Sequence, residues 1–125
     1  MLRPMREPSR GEPRVRLKIW IEDDDGVLLS EWRVALLEAI AATGSLARAA
    51  ERVGVPYRTA WERVRQTEAA LGVPLVEAGS GGREGGASRL TPVGRDLVSR
   101  FRALTAGLDE TVGDRFSDDL RDRLR

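Results

Sequence analysis

Apolar and polar residues alternate along the first part of the chain. Between Arg14 and Glu22 every second residue is a valine, leucine or isoleucine, which is the period expected of a strand with one buried face. Residues 23–26, three aspartates and a glycine, supply turn residues, and residues 27–29 are apolar enough to return as a short second strand. The pattern therefore predicts an N-terminal strand or hairpin.

A helical period begins after residue 29 and predicts three helices. The Ser30 hydroxyl can cap the first helix, and Gly44 can end it. Ser45 and Gly54 have the same roles in a short second helix, and Pro56 fits the start of a third, where its missing N–H costs nothing. The predicted inner faces hold Val34, Leu37, Ile40 and Ala41 in the first helix, Leu46, Ala49, Ala50 and Val53 in the second, and Ala60, Val64, Thr67 and Leu71 in the third.

Two short helices joined by a glycine-containing turn form a helix-turn-helix, whose second helix enters the major groove of DNA. The outward face of the third helix carries arginine and glutamine, which have the geometry to read base edges. Two interpretations of Glu62 stay open, since it can accept from cytosine N4 or pair with Arg58 or Arg65. Trp61 is assigned a core or wing contact. The predicted DNA-binding residues of this region are Ser45, Tyr57, Arg58, Thr59, Glu62, Arg63, Arg65 and Gln66.

A glycine-rich segment lies between two short stretches that can pair as strands, residues 74–77 and 87–90. This arrangement predicts a β-wing, because glycines let the backbone approach phosphates closely. Arg83 and Arg89 would supply charge for the DNA backbone or the minor groove. A plain flexible hairpin is the alternative.

The last part of the chain predicts one long amphipathic helix. Thr91 and Pro92 are typical of a helix start, and apolar residues then recur at spacings of three and four. The stripe is longer than a small domain can cover from within, so its outer part is predicted to pack against a second copy of the chain. The predicted dimer interface consists of Phe101, Leu104, Leu108 and Val112.

Composition narrows the classes of function. The 125 residues include no cysteine and no histidine, so thiolate nucleophiles, the commonest general base and the commonest metal ligands are missing. The acidic run from Asp23 to Asp25 is typical of a solvated turn. We therefore expect no enzyme activity, no metal site and no cofactor. No apolar run is long enough to span a membrane, and the charged residues 1–13 predict a disordered leader on a cytoplasmic protein.

The formal net charge of +1 predicts no nucleic-acid partner by itself, but the charge is unevenly distributed. Residues 45–102 carry ten basic and six acidic groups, whereas residues 109–125 carry four and six. Lys18 is the only lysine, so nearly all positive charge is guanidinium, whose planar donors suit phosphates and guanine edges. The central surplus therefore favours a nucleic-acid partner.

Residues 44–98 resemble the DNA-binding domain of ModE-type, molybdenum-responsive transcription regulators, and more distantly that of LysR-type regulators. The most specific segments are YRTAW at residues 57–61 and the glycine-rich wing before LTPVGR at residues 90–95. The resemblance implies a mainly α (α+β) winged helix-turn-helix with a three-helix core, a β-wing and a long C-terminal dimerisation helix. It further implies a homodimer that binds palindromic operators in double-stranded DNA and regulates transcription.

Two departures limit what the resemblance carries over. Pro56 stands where the family has a serine that can contact phosphate or cap the helix. Family members commonly continue into molybdate-binding domains, which are not expected in this chain, so molybdate sensing is not implied.

The sequence also predicts domain boundaries, and it is compatible with two other functions. Residues 14–112 are expected to form the DNA-binding domain, and residues 113–125 a charged tail or helix end. A protein-interaction module on a winged-helix scaffold is the alternative function. A metal or oxyanion binder that uses the aspartate run or the glycine loop is a third possibility.

Overall fold

A computed structural model of the protein describes residues 11–79 and 87–124. The chain divides into two compact units, one of residues 18–105 and one that contains the described residues 11–17 and 106–124. The first unit contains the helix-turn-helix and two hairpins. The middle of the predicted wing, with Arg83, lies outside the described residues.

The first unit begins with an antiparallel hairpin of two strands, β1 (Trp20–Asp23) and β2 (Gly26–Ser30). The Asp23 carboxylate accepts a hydrogen bond from the Asp25 N–H at 2.9 Å and thereby stabilises the turn. The predicted hairpin is confirmed.

The prediction that the first strand starts at Arg14 is wrong. Residues 11–19 form no strand, and Val15 and Leu17 are exposed in spite of the alternating pattern. The physical reason is that β2 is followed immediately by a helix, so it pairs with residues 20–23 alone.

Three helices follow the hairpin: α1 (Glu31–Thr43), α2 (Leu46–Val53) and α3 (Tyr57–Leu71). The hydroxyls of Ser30 and Ser45 each accept an N–H three residues along at 3.2 Å, so both predicted caps are confirmed. Each helix ends at a glycine in the left-handed conformation, as expected for a residue without a β-carbon.

The turn between α2 and α3 is short and closed by hydrogen bonds. Gly54 has a φ of 80°, and its N–H donates to the carbonyls of Ala50 and Glu51 at 2.9 and 3.1 Å. The Val55 N–H also donates to Ala50, at 3.0 Å. Pro56 then leads into α3 in an extended conformation, without a side-chain cap. The predicted helix-turn-helix is confirmed.

The core lies where α1, α2 and α3 pack together. Leu36, Ala49 and Ala60 are at most 1% exposed, and the two alanines let the helices approach closely. Ala41 was expected on the inner face of α1 but is exposed. Ala39, on the other side of Ile40, is buried in its place, because the core cluster that contains Leu36 and Ile40 covers that side of α1.

A second antiparallel hairpin, β3 (Val76–Ala78) with β4 (Ser88–Leu90), forms the base of the predicted wing. The Ser88 N–H donates to the Gly44 carbonyl at 2.8 Å and so ties β4 to the end of α1. Next comes α4 (Pro92–Thr105). The base of the wing is therefore held by the helical core.

The prediction of a single long C-terminal helix is wrong. α4 ends at Thr105, and the next helix, α5 (Leu108–Asp119), begins after Gly107, which has a φ of 77°. Glycine adopts this conformation without strain, so it permits a break that the apolar spacing does not indicate. A 3-10 helix, Arg121–Leu124, follows α5, and the Arg121 guanidinium carbon lies 5.7 Å from the centre of the Phe116 ring.

Candidate nucleic-acid interface

α3 has one buried and one exposed face, as its sequence pattern predicts. Ala60, Val64 and Thr67 are at most 5% exposed on the inner side. Arg58 and Glu62 lie on the outer side, and both are exposed. Since the second helix of a helix-turn-helix is the one that enters the groove, the outer face of α3 is the candidate interface.

The first two turns of this face carry Tyr57, Arg58 and Glu62. The Arg58 side chain is 84% exposed, and its Nε lies 3.5 Å from Glu62 Oε2. An exposed pair of this kind contributes only about 0.3–0.5 kcal/mol, so Arg58 can exchange Glu62 for a base or phosphate at little cost. Of the two interpretations of Glu62, the structure contains the pairing with Arg58. Thr59 is half-buried at the border of the face.

The third turn carries Arg65, whose side chain is fixed by two contacts. Its Nη1 donates to Glu68 Oε1 at 2.9 Å, and its guanidinium carbon lies 5.4 Å from the centre of the Trp61 ring. The other Glu68 oxygen accepts the N–H groups of Leu75 and Val76 at 2.8 and 3.1 Å. One carboxylate therefore connects Arg65 to the backbone of the wing base.

Arg63 and Gln66 are partly engaged within the protein. The Arg63 guanidinium carbon lies 5.3 Å from the centre of the Trp32 ring of α1, and its Nη1 donates to Gln66 Oε1 at 3.3 Å. Burial, and then the nearby charge of Arg63, lower the pKa of Arg33 from its ordinary value. Arg33 Nη1 donates to the Val27 carbonyl at 2.8 Å. Arg63 thus faces α1, while Gln66 is exposed.

Three predicted DNA contacts lie on other elements. The Ser45 hydroxyl caps α2, where it accepts the Arg48 N–H. Arg89 on β4 pairs with Glu77 on β3 at 2.9 Å, and 59% of its side chain is exposed. Arg83 is outside the described residues. The exposed face of α3 therefore carries Tyr57, Arg58, Glu62, Arg65 and Gln66, whereas Arg89 lies on β4.

The residues predicted for a dimer interface have different surroundings. Phe101 is 2% exposed and packs with Leu29 and Val34 in the core of the first unit. Leu104, one turn further along α4, is 54% exposed. Leu108 and Val112 are half-buried in the second unit. Leu104 is therefore the most exposed of the four.

Arg102 joins α4 to α1 in a contact that the sequence analysis missed. Its Nε and Nη2 donate to the two oxygens of Glu38 at 2.9 and 2.6 Å, and its Nη1 donates to Glu31 Oε1 at 2.6 Å. The hydrogen bonds from Arg102 lower the pKa of the Glu38 carboxyl. No local pattern connects positions 64 and 71 residues apart.

Trp61 differs from its predicted position, and Glu68 is a buried residue for which the sequence pattern made no prediction. Glu68 is 9% exposed. The only feature of the sequence that could have indicated its burial is its position next to Thr67 on the inner face of α3. Trp61 was assigned a core or wing contact, but 43% of the residue is exposed and Arg65 lies over its ring. Trp61 is therefore part of the surface of α3 rather than of the core.

Residues 11–79 and 87–124 contain no cluster of three or more acidic, cysteine or histidine residues suited to a metal ion. The Asp23 carboxylate at the predicted turn accepts a backbone hydrogen bond there. In the same part of the chain, no helix has the length and apolar character needed to cross a bilayer.

Known proteins are similar to this chain in sequence. The chain is 42% identical over 83 residues to the molybdenum-pterin-binding protein MopB of Rhodobacter capsulatus, an alignment that covers 66% of this chain and 31% of MopB. It is 37% identical over 109 residues to the molybdenum transport protein ModE of Azotobacter vinelandii, covering 87% of this chain and 40% of ModE. The chain thus spans about a third of the length of these relatives.

A solved structure and a family model point to the same fold. The DNA-binding domain of CbnR, crystallised with DNA, superposes with a TM-score of 0.56 and 27% identity over 73% of this chain and 99% of that chain. The family model described as bacterial regulatory helix-turn-helix protein, lysR family, matches residues 33–95, which include the whole of α1, α2 and α3 apart from the first two residues of α1. The resemblance to ModE-type and LysR-type regulators is confirmed, and the chain belongs to the lysR family of bacterial regulatory helix-turn-helix proteins.

Proposed function

We propose that this protein is a sequence-specific DNA-binding regulator of transcription that inserts α3 into the major groove. The observation that carries the proposal is the outer face of α3, where Arg58 and Arg65 project from a helix whose opposite side is buried. Guanidinium groups bind guanine edges and phosphates, so this face matches the chemistry of duplex DNA. The protein acts by binding, with no catalytic step.

The relatives support the same conclusion. The CbnR domain, which the chain matches over nearly that domain's full length, was crystallised with DNA. MopB and ModE carry names that refer to molybdenum, but the chain aligns with about a third of each. We therefore propose that this chain binds DNA, and we do not propose that it binds molybdenum.

We further propose that the protein binds palindromic operators as a homodimer in the cytoplasm. Leu104, an exposed leucine on α4, supports a second copy at this helix. Leu108 and Val112, which are half-buried on α5, stay part of the proposed interface. Phe101 is left out of the interface because it is buried in the core. Arg89 and Arg83 would contact the DNA backbone or the minor groove from the wing. Ser45 would contact a phosphate at the start of α2.

Selection of bound duplexes from a randomised library by the purified full chain tests the proposal. The expected product is a family of sequences with two inverted half-sites, about one helical turn apart. Affinity for the selected duplex should fall with salt, with about 0.9 added to the slope of log affinity against log salt for each phosphate contact. Failure to enrich any sequence, together with salt-independent binding, would refute the proposal.

A further inference from the structure

Two aromatic residues are exposed on the helix that we propose enters DNA. Tyr57 is 54% exposed and Trp61 is 43% exposed. They are one helical turn apart, so their rings lie on the same side of α3. Together with Arg58 they line an open cleft of about 290 Å³. We refer to Tyr57 and Trp61 as the aromatic pair.

The position of the aromatic pair matters as much as its exposure. Large apolar side chains gain roughly 25 cal/mol for each Å² removed from water, so exposed rings favour a partner that covers them. Tyr57 and Trp61 belong to the first two turns of α3. The N-terminal turns of such a helix are the part that reaches base edges in helix-turn-helix proteins.

The Trp61 ring contacts an arginine that is itself bound within the protein. Arg65 lies over the ring at 5.4 Å and is itself bound to Glu68 at 2.9 Å. Glu68 is fixed in turn by the backbone N–H groups of Leu75 and Val76. A side chain fixed in this way loses little conformational entropy when it makes a contact.

We infer that the aromatic pair contacts the 5-methyl groups of thymine in the major groove and gives the protein a preference for thymine at those positions. Thymine is the one DNA base that presents a methyl group there, and apolar side chains recognise it by contact. Arg58 and Arg65 flank the pair, so the surface combines apolar area with positive charge, as a phosphate-lined groove requires. This inference rests on the proposed function.

The test uses the duplex obtained by selection and versions of it in which single thymines are replaced by deoxyuridine, which lacks only the methyl group. For the wild-type chain, deoxyuridine at the contacted positions should weaken binding about fourfold per methyl, measured by fluorescence anisotropy. Trp61→Ala and Tyr57→Ala should each remove this difference at one of the contacted positions, because the group that meets the methyl is gone.

Two control variants separate this role from others. Trp20→Ala removes a tryptophan of similar exposure, 50%, from β1 and should leave both the affinity and the thymine preference unchanged. Arg58→Ala should weaken binding to both duplexes and keep their ratio. Far-UV circular dichroism and sedimentation check that the Trp61 and Tyr57 variants keep their fold and their oligomeric state.

The possible outcomes test the thymine inference separately from the proposed DNA-binding function. If no duplex is enriched, the proposed function fails. If duplexes bind but deoxyuridine has no effect, or if it has the same effect in the Trp61 and Tyr57 variants as in wild type, the thymine inference is overturned while DNA binding stands. If Trp61→Ala changes the oligomeric state instead, the pair faces a second copy of the chain and the inference is likewise overturned.

Discussion

Gly94 of α4 lies directly against the main-chain carbonyl of Leu75. A β-carbon at Gly94 would stand 2.5 Å from the Leu75 oxygen, closer than packed atoms allow. The approach is fixed by Thr91, whose N–H donates to the same carbonyl at 2.9 Å and whose hydroxyl donates to the Pro74 carbonyl at 2.8 Å. The start of α4 and the segment before β3 are therefore in backbone contact.

Gly94→Ala should destabilise the protein although alanine is the better helix former. The added methyl group meets backbone rather than a movable side chain, so we expect a loss of about 1–3 kcal/mol in the free energy of unfolding, measured with urea. Gly113→Ala is the matched control, because nothing lies within 4 Å of its added β-carbon. In α5 this change should raise helix stability by roughly 0.5–1 kcal/mol. Equal effects of the two substitutions would contradict the close packing.

Glu38→Gln should cost stability at neutral pH but not in acid. Hydrogen bonds from Arg102 lower the pKa of Glu38 in the folded state, so its contribution is present above the unfolded pKa of about 4.3 and is lost as the pH falls through the folded pKa. Both side chains are more than a third exposed, so we expect at most about 1 kcal/mol at pH 7. Urea unfolding from pH 7 to pH 3 should show the difference shrink.

Asp96→Asn is the control for this pair, since Asp96 meets Arg100 at 2.9 Å on the exposed side of α4. It should change stability by no more than about 0.5 kcal/mol at either pH. If Glu38→Gln lowers the free energy of unfolding by the same amount at every pH, the ionised pair of Glu38 with Arg102 is not the cause of the loss.

Arg58→Ala should weaken binding to the selected operator by roughly 1–3 kcal/mol if Arg58 reads a base. Because its side chain is 84% exposed, the unfolding free energy should stay unchanged. Competition binding across operator variants is the measurement, and Arg100→Ala, which removes the same charge from α4, is the control. If the variant keeps the wild-type base preference at every operator position, Arg58 does not read a base.

Leu104→Glu should weaken the proposed homodimer at least about tenfold, because it places an unpaired charge in an apolar contact. Leu104 is 54% exposed, so the monomer fold should tolerate the change. Sedimentation over a range of concentrations measures the effect. Ala103→Glu introduces the same charge on a neighbouring side of α4 and should have a smaller effect. Wild-type chain that is monomeric at all concentrations would rule out the dimer.

The helix-turn-helix could be predicted because its signals are local. Ser30 and Ser45 accept hydrogen bonds from residues three positions away, and Gly44 and Gly54 end their own helices. Cap residues and the helical period are both contained within a few consecutive positions. The exposed face of α3 follows from the same period.

The two wrong predictions about secondary structure have different causes, a missing partner strand and a helix break at a glycine. The alternating pattern of residues 14–19 had no strand to pair with, and the apolar spacing of the C-terminal helix continued across the break at Gly107. Within the site, the period placed Arg63 and Arg65 on or near the outer face. The contact of Arg63 with Trp32 arises from the packing of α3 on α1, whereas Arg65 pairs with Glu68 three residues along the same helix. The sequence was enough to predict which helix forms the candidate interface. It was not enough to predict which side chains of that helix are free of contacts within the protein.

The two arginines on the outer face of α3 should differ in how they tolerate variation in the DNA. Arg65 is held by contacts with Glu68 and Trp61, so it has fewer positions from which it can meet an acceptor in the groove. Arg58 has a single loose pair and a side chain that is 84% exposed, so it can follow local changes in groove width. We therefore expect the base pair that Arg65 contacts to tolerate less variation in the operator than the one that Arg58 contacts.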